Sequence, residues 1–295
     1  MVHRAVLVRE SVDLLVTKPD GVYVDATVGA GGHAGEILKR LGAGGRLLGI
    51  DRDSDILEQA RERLAGDARV VLHHGSFEDL ETAMRILGVR RVDGILADLG
   101  VSSLQLDRAE RGFSFAKDAP LDMRMDPGEG ITAADYLAEV SEKELERVLK
   151  EYGEERFARR IARRILEARR RQPIETTAAL AGIVSRAVPR GAGRIHPATR
   201  TFQALRIAVN GELDRLDALL HRAPAALAPG GRLAILSYHS LEDRRVKRAF
   251  VEAERLGALR RLTKKPLTPS EDEVRDNPRS RSAKLRVAEK TEASS

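Results

Sequence analysis

Tyr23-Val24-Asp25-Ala26-Thr27-Val28-Gly29-Ala30-Gly31-Gly32-His33 is the stretch whose reading decides the fold. A short apolar run ends in a carboxylate, turns on Gly29, Gly31 and Gly32, and opens onto a helical pattern, which is the form of a strand, a tight turn and a helix start. Glycines at such a turn let the backbone approach a ligand closely. A plain strand-to-helix connection can carry the same letters, so the meaning of the turn depends on what surrounds it.

Outward from that turn, apolar runs alternate with amphipathic stretches, the pattern of a parallel sheet covered by helices on both faces. Strands are expected at 21–25, 46–51, 68–73 and 92–98, with helices near 33–41, 53–64 and 76–87 between them. The rhythm breaks after Asp98. Residues 104–131 are rich in Asp, Arg, Gly and Pro, and helical stretches follow at about 132–138, 141–171 and 176–187. A helix from about Thr199 to Leu220, the turn Ala228-Pro229-Gly230-Gly231, a strand at 232–237 and a helix from Glu242 restore the alternation. A last strand is expected near 283–288, after a polar connection at 264–282. The predicted fold class is α/β, a doubly wound sheet with a helical insertion after strand four. Residues 1–105 and 207–295 make the core, and 106–206 the insertion. The terminal 291–295 reads as a frayed tail.

The strand ends carry the chemistry. Asp51 closes strand two, 22 residues after Gly29, where a carboxylate accepts the ribose hydroxyls of an adenosine ligand. Both NAD and S-adenosylmethionine meet that condition. Asp25 discriminates: beside the turn it repels a pyrophosphate but suits the ammonium end of a methionine moiety, which favours the sulfonium cofactor. Phe77 after strand three and Asp98 after strand four stand where adenine is stacked and its amine accepted, although Phe77 alone also reads as a core aromatic at a helix start.

The bulk composition narrows the class of function. Lys and Arg number 51 against 45 Asp and Glu, a net charge of +6, which agrees with a nucleic-acid partner without requiring one. There is no Cys, so disulfides and thiolate metal sites are excluded, as is the usual nucleophile for covalent attack on a pyrimidine ring; no metal is expected. Aromatics make up 3% and Trp is absent, which argues against a broad base-stacking surface and leaves charge to supply much of any RNA affinity. Met1-Val2-His3-Arg4-Ala5-Val6 has no apolar leader core and no run reaches membrane-spanning length, so a soluble cytoplasmic protein without a membrane partner is expected.

Three longer blocks are not explained by core periodicity: 98–107 (Asp98-Leu99-Gly100-Val101-Ser102-Ser103-Leu104-Gln105-Leu106-Asp107), 110–115 (Glu110-Arg111-Gly112-Phe113-Ser114-Phe115) and 120–127 (Pro120-Leu121-Asp122-Met123-Arg124-Met125-Asp126-Pro127). With Tyr152-Gly153-Glu154-Glu155-Arg156-Phe157-Ala158, His196-Pro197-Ala198-Thr199-Arg200-Thr201-Phe202-Gln203-Ala204 and Ser237-Tyr238-His239-Ser240-Leu241-Glu242-Asp243-Arg244, they closely resemble the RsmH/MraW family of 16S ribosomal RNA cytosine-N4 methyltransferases. The resemblance covers nearly the whole chain. It implies a Rossmann-like class I methyltransferase core with a helical insertion, and cofactor contacts at Gly31, Gly32, His33, Asp51, Phe77, Asp98 and Gln105. It further implies a decoding-region cytidine as target and 16S ribosomal RNA, within the small subunit, as partner. Two departures stand out: Leu104, where the family pattern carries Pro within Ser-Ser-Pro-Gln, and Tyr238, where Phe is commoner.

An exocyclic cytosine amine is a weak nucleophile, so catalysis must hold it in line with the methyl group at about 3 to 3.5 Å. An acceptor that orients the amine hydrogens suffices, and Asp98 is the candidate. The aromatic ring that often follows strand four in amino-methyltransferases is missing here, which leaves Phe113, Phe115, Phe202 and Tyr238 open as stackers of the base, each equally readable as a packing residue. His239 has two readings, as a contact to the target nucleotide or as part of a helix start, since Ser240-Leu241-Glu242-Asp243 has the form of a capping box. Arg156, Arg159, Arg160, Arg163 and Arg164 concentrate positive charge on one helix and read as an RNA surface. Arg279 and Arg281, with Lys284 and Arg286, form a second basic region. A nicotinamide oxidoreductase, a small-molecule methyltransferase and a non-catalytic RNA-binding protein are the rival classes; the first leaves Asp25 and the blocks after strand four unexplained.

Overall fold

The computed structural model describes residues 5–189 and 195–292. Met1–Arg4, which belong to the expected leader-free start, and the last three residues of the expected tail lie outside the described residues. The chain divides into two compact units, one running to Gly100 and resuming at Leu213, the other Val101–Glu212.

The first unit is built on one seven-stranded sheet. Its strands are β1 (Val22–Asp25), β2 (Arg46–Asp51), β3 (Val70–His74), β4 (Val92–Asp98), β5 (Leu227–Ser237), β6 (Leu259–Arg261) and β7 (Lys284–Lys290), in the order β3-β2-β1-β4-β5-β7-β6. The first five strands are parallel and β7 runs antiparallel to β5 and β6. Central parallel strands are covered on both faces, so they read as nearly continuous apolar runs; Leu47, Leu48 and Ile50 of β2 and Ile95, Leu96 and Ala97 of β4 are fully buried. The flanking helices are α1 (Val8–Leu15), α2 (Gly32–Leu38), α3 (Ser54–Arg63) and α4 (Leu80–Ile86) in the first half of the chain. Gly94 makes room for a neighbour: a Cβ there would lie 2.7 Å from the Tyr23 ring, whose hydroxyl donates to Lys18 O at 3.0 Å and accepts Thr17 and Lys18 N–H groups.

The second unit is helical: α5 (Ser103–Asp107), α6 (Ala133–Glu139), α7 (Glu142–Glu151), α8 (Ala158–Arg169), α9 (Thr177–Ala187) and α10 (Thr199–Asn210). Its apolar centre includes Leu121, Leu137, Leu145, Ile161, Ile165, Leu180, Phe202 and Leu205. The irregular stretch before α6 is pinned by polar groups. Asn210, 3% exposed, accepts the Met125 N–H at 2.7 Å and donates to Met123 O at 2.7 Å, while Arg111 donates to Arg124 O and Met125 O. Returning to the first unit, α11 (Glu212–Ala226), α12 (Ser240–Arg255) and α13 (Glu271–Asp276) complete the helices.

Three expectations need correction, each for a backbone reason. The helix expected at 141–171 is two, because the chain turns at Gly153, where a Cβ would meet Leu149 O at 2.7 Å and Arg200 O at 2.8 Å, and at Glu154 with φ 47°. The helix expected at 199–220 is divided by Gly211, which adopts φ 59°. The turn at 228–231 is an excursion within β5 rather than its boundary, since Val92 pairs with Leu227 and Gly94 with Arg232. Periodicity also missed α1, the short β6, and α13 inside the polar connection, which Ser270 caps by accepting the Glu273 N–H.

Candidate active site

The sheet order reverses beside β1, between β2 and β4, and in a doubly wound fold the crevice outside the carboxyl ends of such strands is where ligands bind. Asp25, Asp51 and Asp98 are the last residues of β1, β2 and β4. The sequence places these three carboxylates, and the sheet brings them to one edge.

Asp25 is 1% exposed. Its Oδ1 accepts the Thr27 N–H at 3.3 Å, while Oδ2 is buried without a hydrogen-bond partner among the described residues. Burial pushes the Asp25 carboxyl up to about 8; the Thr27 N–H opposes this, and the charges of Asp98 and Asp51 reinforce it. Asp51 is better supported, since Oδ2 accepts the Gly29 N–H at 2.8 Å and Oδ1 the Asp53 N–H at 2.9 Å. Partly open at its surface yet ringed by protein, it is pushed by burial up to about 6.

The glycine turn works as its letters suggest. Gly31 has φ 79° and forms the N-cap of α2, a conformation that L side chains avoid. A Cβ at Gly32 would lie 2.9 Å from the Ala5 Cβ, so the segment Ala5-Val6-Leu7 rests directly on the turn. His33, 4% exposed, donates from Nε2 to Val6 O at 3.1 Å and turns Nδ1 toward Asp98 Oδ2 at 3.6 Å. The same segment is held from outside: Leu7, with φ 50°, donates its N–H to Glu273 Oε1 at 2.8 Å. Sequence reasoning missed Glu273 and had no local signal for it, because its partner is 266 positions away.

Asp98 is fixed on two sides. Its N–H donates to Thr27 Oγ1 at 2.6 Å, and its Oδ1 accepts the Tyr238 hydroxyl at 2.7 Å. Burial, with the adjacent Asp98 carboxylate, pushes the Tyr238 hydroxyl well above the usual phenol range, so it stays a donor. Tyr238 is therefore engaged by Asp98 rather than presenting a free polar edge, and Thr27, inside the opening motif but not singled out, is a second anchor. Phe77, half-buried at the start of the turn into α4, packs against the apolar core.

His239 is the N-cap residue of α12, one position before the Ser240 cap that the sequence suggested. Glu242 reaches back to accept the Tyr238 N–H at 2.8 Å and the His239 N–H at 3.3 Å, and lies 3.2 Å from His239 Nε2. The helix-start geometry is thus present at His239 itself.

In the second unit, Gln105 is 4% exposed and caps α5: its Oε1 accepts the Ser102 N–H at 2.9 Å and its own N–H donates to Ser102 Oγ at 3.1 Å. With Leu104 in place of Pro, the segment still winds into this helix. On α8 the buried face is Ala158, Ile161, Ala162, Ile165 and Leu166, which leaves Arg159, Arg160, Arg163 and Arg164 exposed. Arg163 and Arg164 share Glu167, at 2.9 and 3.0 Å. Arg156 lies over the Phe157 ring at 4.6 Å. In the first unit Arg279 and Arg281 are exposed, whereas Arg286 and Lys284 pair with Asp243, at 2.7 and 3.0 Å.

The residues at the strand ends fit a methionine-derived sulfonium cofactor on this structure's own terms. A buried carboxylate oxygen with no partner beside a glycine turn suits an ammonium group and is hostile to a pyrophosphate. Fold and site together define an S-adenosylmethionine-dependent methyltransferase. The chain belongs to the MraW methylase family, whose model matches residues 1–291. It is 52% identical over 304 residues to ribosomal RNA small subunit methyltransferase H of Thioalkalivibrio sulfidiphilus, covering 98% of this chain and 97% of that protein. Against the protein of the same name from Sorangium cellulosum it is 54% identical over 289 residues, covering 97% and 90%. Among solved structures, an rRNA methylase from Streptococcus thermophilus aligns at 13% identity with a TM-score of 0.43, covering 97% of this chain and 94% of that one.

Proposed function

We propose that this methyltransferase modifies the exocyclic N4 amine of a cytidine in the decoding region of 16S ribosomal RNA, acting in the cytoplasm on RNA held in the small ribosomal subunit. The observation that carries this reading is identity of about one residue in two, over almost the entire length, with proteins named for methylating small-subunit ribosomal RNA.

S-adenosylmethionine, when bound, supplies an electrophilic methyl group on a sulfonium sulfur. Asp25 would hold the ammonium end of the cofactor and Asp51 the ribose hydroxyls. Phe77 would lie against the adenine, with Gly29, Gly31 and Gly32 giving backbone access, and His33 and Gln105 completing the set. Each carboxylate oxygen has a second lone pair, so Asp98 can accept an amine hydrogen while Tyr238 occupies one acceptor position of Oδ1. Thr27 anchors the Asp98 backbone and Tyr238 its carboxylate, which limits the rotation that would misdirect a weak nucleophile, a contribution of positioning rather than of proton abstraction. His239 would help to align the target nucleotide. The core unit binds the cofactor, the helical unit receives RNA, and Arg156, Arg159, Arg160, Arg163, Arg164, Arg279 and Arg281 would meet phosphates.

The test incubates the purified protein with labelled S-adenosylmethionine and small ribosomal subunits from a strain lacking this enzyme, with Asp98→Ala as control. Label recovered as N4-methylcytidine at a single site, and absent with the variant, is the expected result. Cofactor binding without transfer to subunits or naked RNA would sink the ribosomal assignment.

A further inference from the structure

We propose that the imidazole of His196, held flat on Phe115, is a stacking platform for an unpaired base of the RNA acceptor; the proposal rests on the RNA reading above and names a contact within it. The His196 and Phe115 rings stack with centroids 4.6 Å apart and planes 29° from parallel. Phe115 in turn meets Phe202 edge-on at 4.8 Å, and Phe202 is 4% exposed in the centre of the helical unit. The stack therefore runs from the apolar core outward and ends on an exposed imidazole.

Two restraints fix that ring. Its Nδ1 accepts the Ala198 N–H at 3.2 Å, so the proton of the neutral imidazole sits on Nε2, and one face is covered by Phe115. A pre-oriented ring loses little entropy when a base stacks on it, and every base has a π-face to offer, so such contacts tolerate sequence. Ile195, 54% exposed, adds apolar surface beside it.

The other aromatic candidates are engaged elsewhere. Phe113 is 7% exposed, Phe202 is in the core, Phe115 gives a face to His196, and Tyr238 is bound to Asp98. In a chain with no Trp and few aromatics, an exposed ring anchored by two others is not what packing alone requires. Cations stand nearby: Arg200, in the first turn of α10, donates to Glu154 O at 2.8 Å, which joins the start of α10 to the loop carrying Arg156. Stacking beside positive charge is the combination that captures single-stranded nucleic acid.

The bland role for His196 is to start α10, and two substitutions separate it from stacking. His196→Asn keeps an acceptor for the Ala198 N–H and removes the ring, whereas His196→Phe keeps the ring and removes the acceptor. Full-length wild type and both variants are titrated with a single-stranded RNA oligonucleotide carrying a fluorescent base analogue, with S-adenosylmethionine affinity measured alongside. The expected result is RNA affinity within about twofold of wild type for His196→Phe, a loss of roughly 5- to 150-fold with reduced quenching for His196→Asn, and unchanged cofactor affinity in both. Wild-type affinity in His196→Asn, or an equal loss in both variants, overturns the platform while leaving the RNA reading intact. No RNA binding by the wild type overturns both.

Discussion

The Tyr238 hydroxyl donates to Asp98 Oδ1 at 2.7 Å, joining the carboxyl end of β4 to the residue that follows β5. The hydroxyl is kept protonated by burial and by the carboxylate itself, so the bond is charge-assisted, of a kind worth about 1.5 to 3 kcal/mol net where it is buried. Part of that is recovered by solvent in a variant, since the Asp98 side chain is 20% exposed. Tyr238→Phe should therefore lower kcat about fivefold with cofactor Kd changed less than about twofold, in line with loss of roughly 1 kcal/mol of positioning. Steady-state kinetics alongside calorimetric cofactor titration checks this; an unchanged kcat would assign the hydroxyl to folding alone.

Asp25 should make cofactor binding depend on pH. Its carboxyl is pushed up to about 8, and the form that attracts an ammonium is the ionised one. Affinity should rise about tenfold per unit as pH increases toward 8, then level off or fall as the cofactor's own amine loses its proton. Asp25→Asn should weaken binding at pH 8 and flatten the acid limb. A wild-type Kd that is flat between pH 6 and 8 would refute the assignment.

The same group makes a stability prediction with a definite sign. Because the folded value is raised above the unfolded one, folding takes up a proton, and the resulting stability is complete below about pH 4 and lost as pH rises through about 8. Asp25→Asn should then raise Tm at pH 8 and leave it nearly unchanged at pH 4, a gain in stability accompanied by weaker cofactor binding. Calorimetric scans at both pH values decide it.

Glu273 holds the Ala5-Val6-Leu7 segment against the glycine turn through the Leu7 N–H, at 2.8 Å. Glu273→Ala should accelerate hydrogen exchange at Leu7 by an order of magnitude or more and weaken the cofactor severalfold, because Val6 O anchors His33. Exchange unaltered at Leu7 would show that the turn itself holds the segment.

The basic helix allows a sharper choice of variants than its sequence did. Arg159 and Arg160 are exposed, whereas Arg163 and Arg164 share the Glu167 carboxylate. Replacing Arg159 and Arg160 by Ala should flatten the dependence of log RNA affinity on log salt by about 0.7 to 0.9 for each phosphate no longer neutralised, and by more than the same change at Arg163 and Arg164. Equal slopes in both pairs and the wild type would make the helix a solvated face.

Much of the first unit is legible in the sequence because its signals are local. A buried parallel strand must be apolar throughout and close on whatever residue meets the crevice, so β2 and β4 are expected with their observed limits, and Asp25, Asp51 and Asp98 stand out as strand-end carboxylates. The positive φ of Gly31 is likewise a property of the residue type. Helix breaks at Gly153 and Gly211 are harder, since amphipathic periodicity continues across a short turn and the approach of other backbone, such as Arg200 O to Gly153, is what requires the break.

What the linear order could not contain is pairing across long separations. That Tyr238 faces Asp98, that Glu273 holds Leu7, that Arg286 is tied to Asp243, and that His196 ends a stack rooted on Phe202 are consequences of packing. The sequence by itself determined which strand ends carry carboxylates, where the glycines turn, and which helix carries the charge, because these follow from the stereochemistry and solvation of each residue beside its neighbours. Only the tertiary structure decided which of those groups are already satisfied and which remain to meet a ligand, because hydrogen-bond satisfaction and burial belong to pairs of residues that folding alone brings within reach.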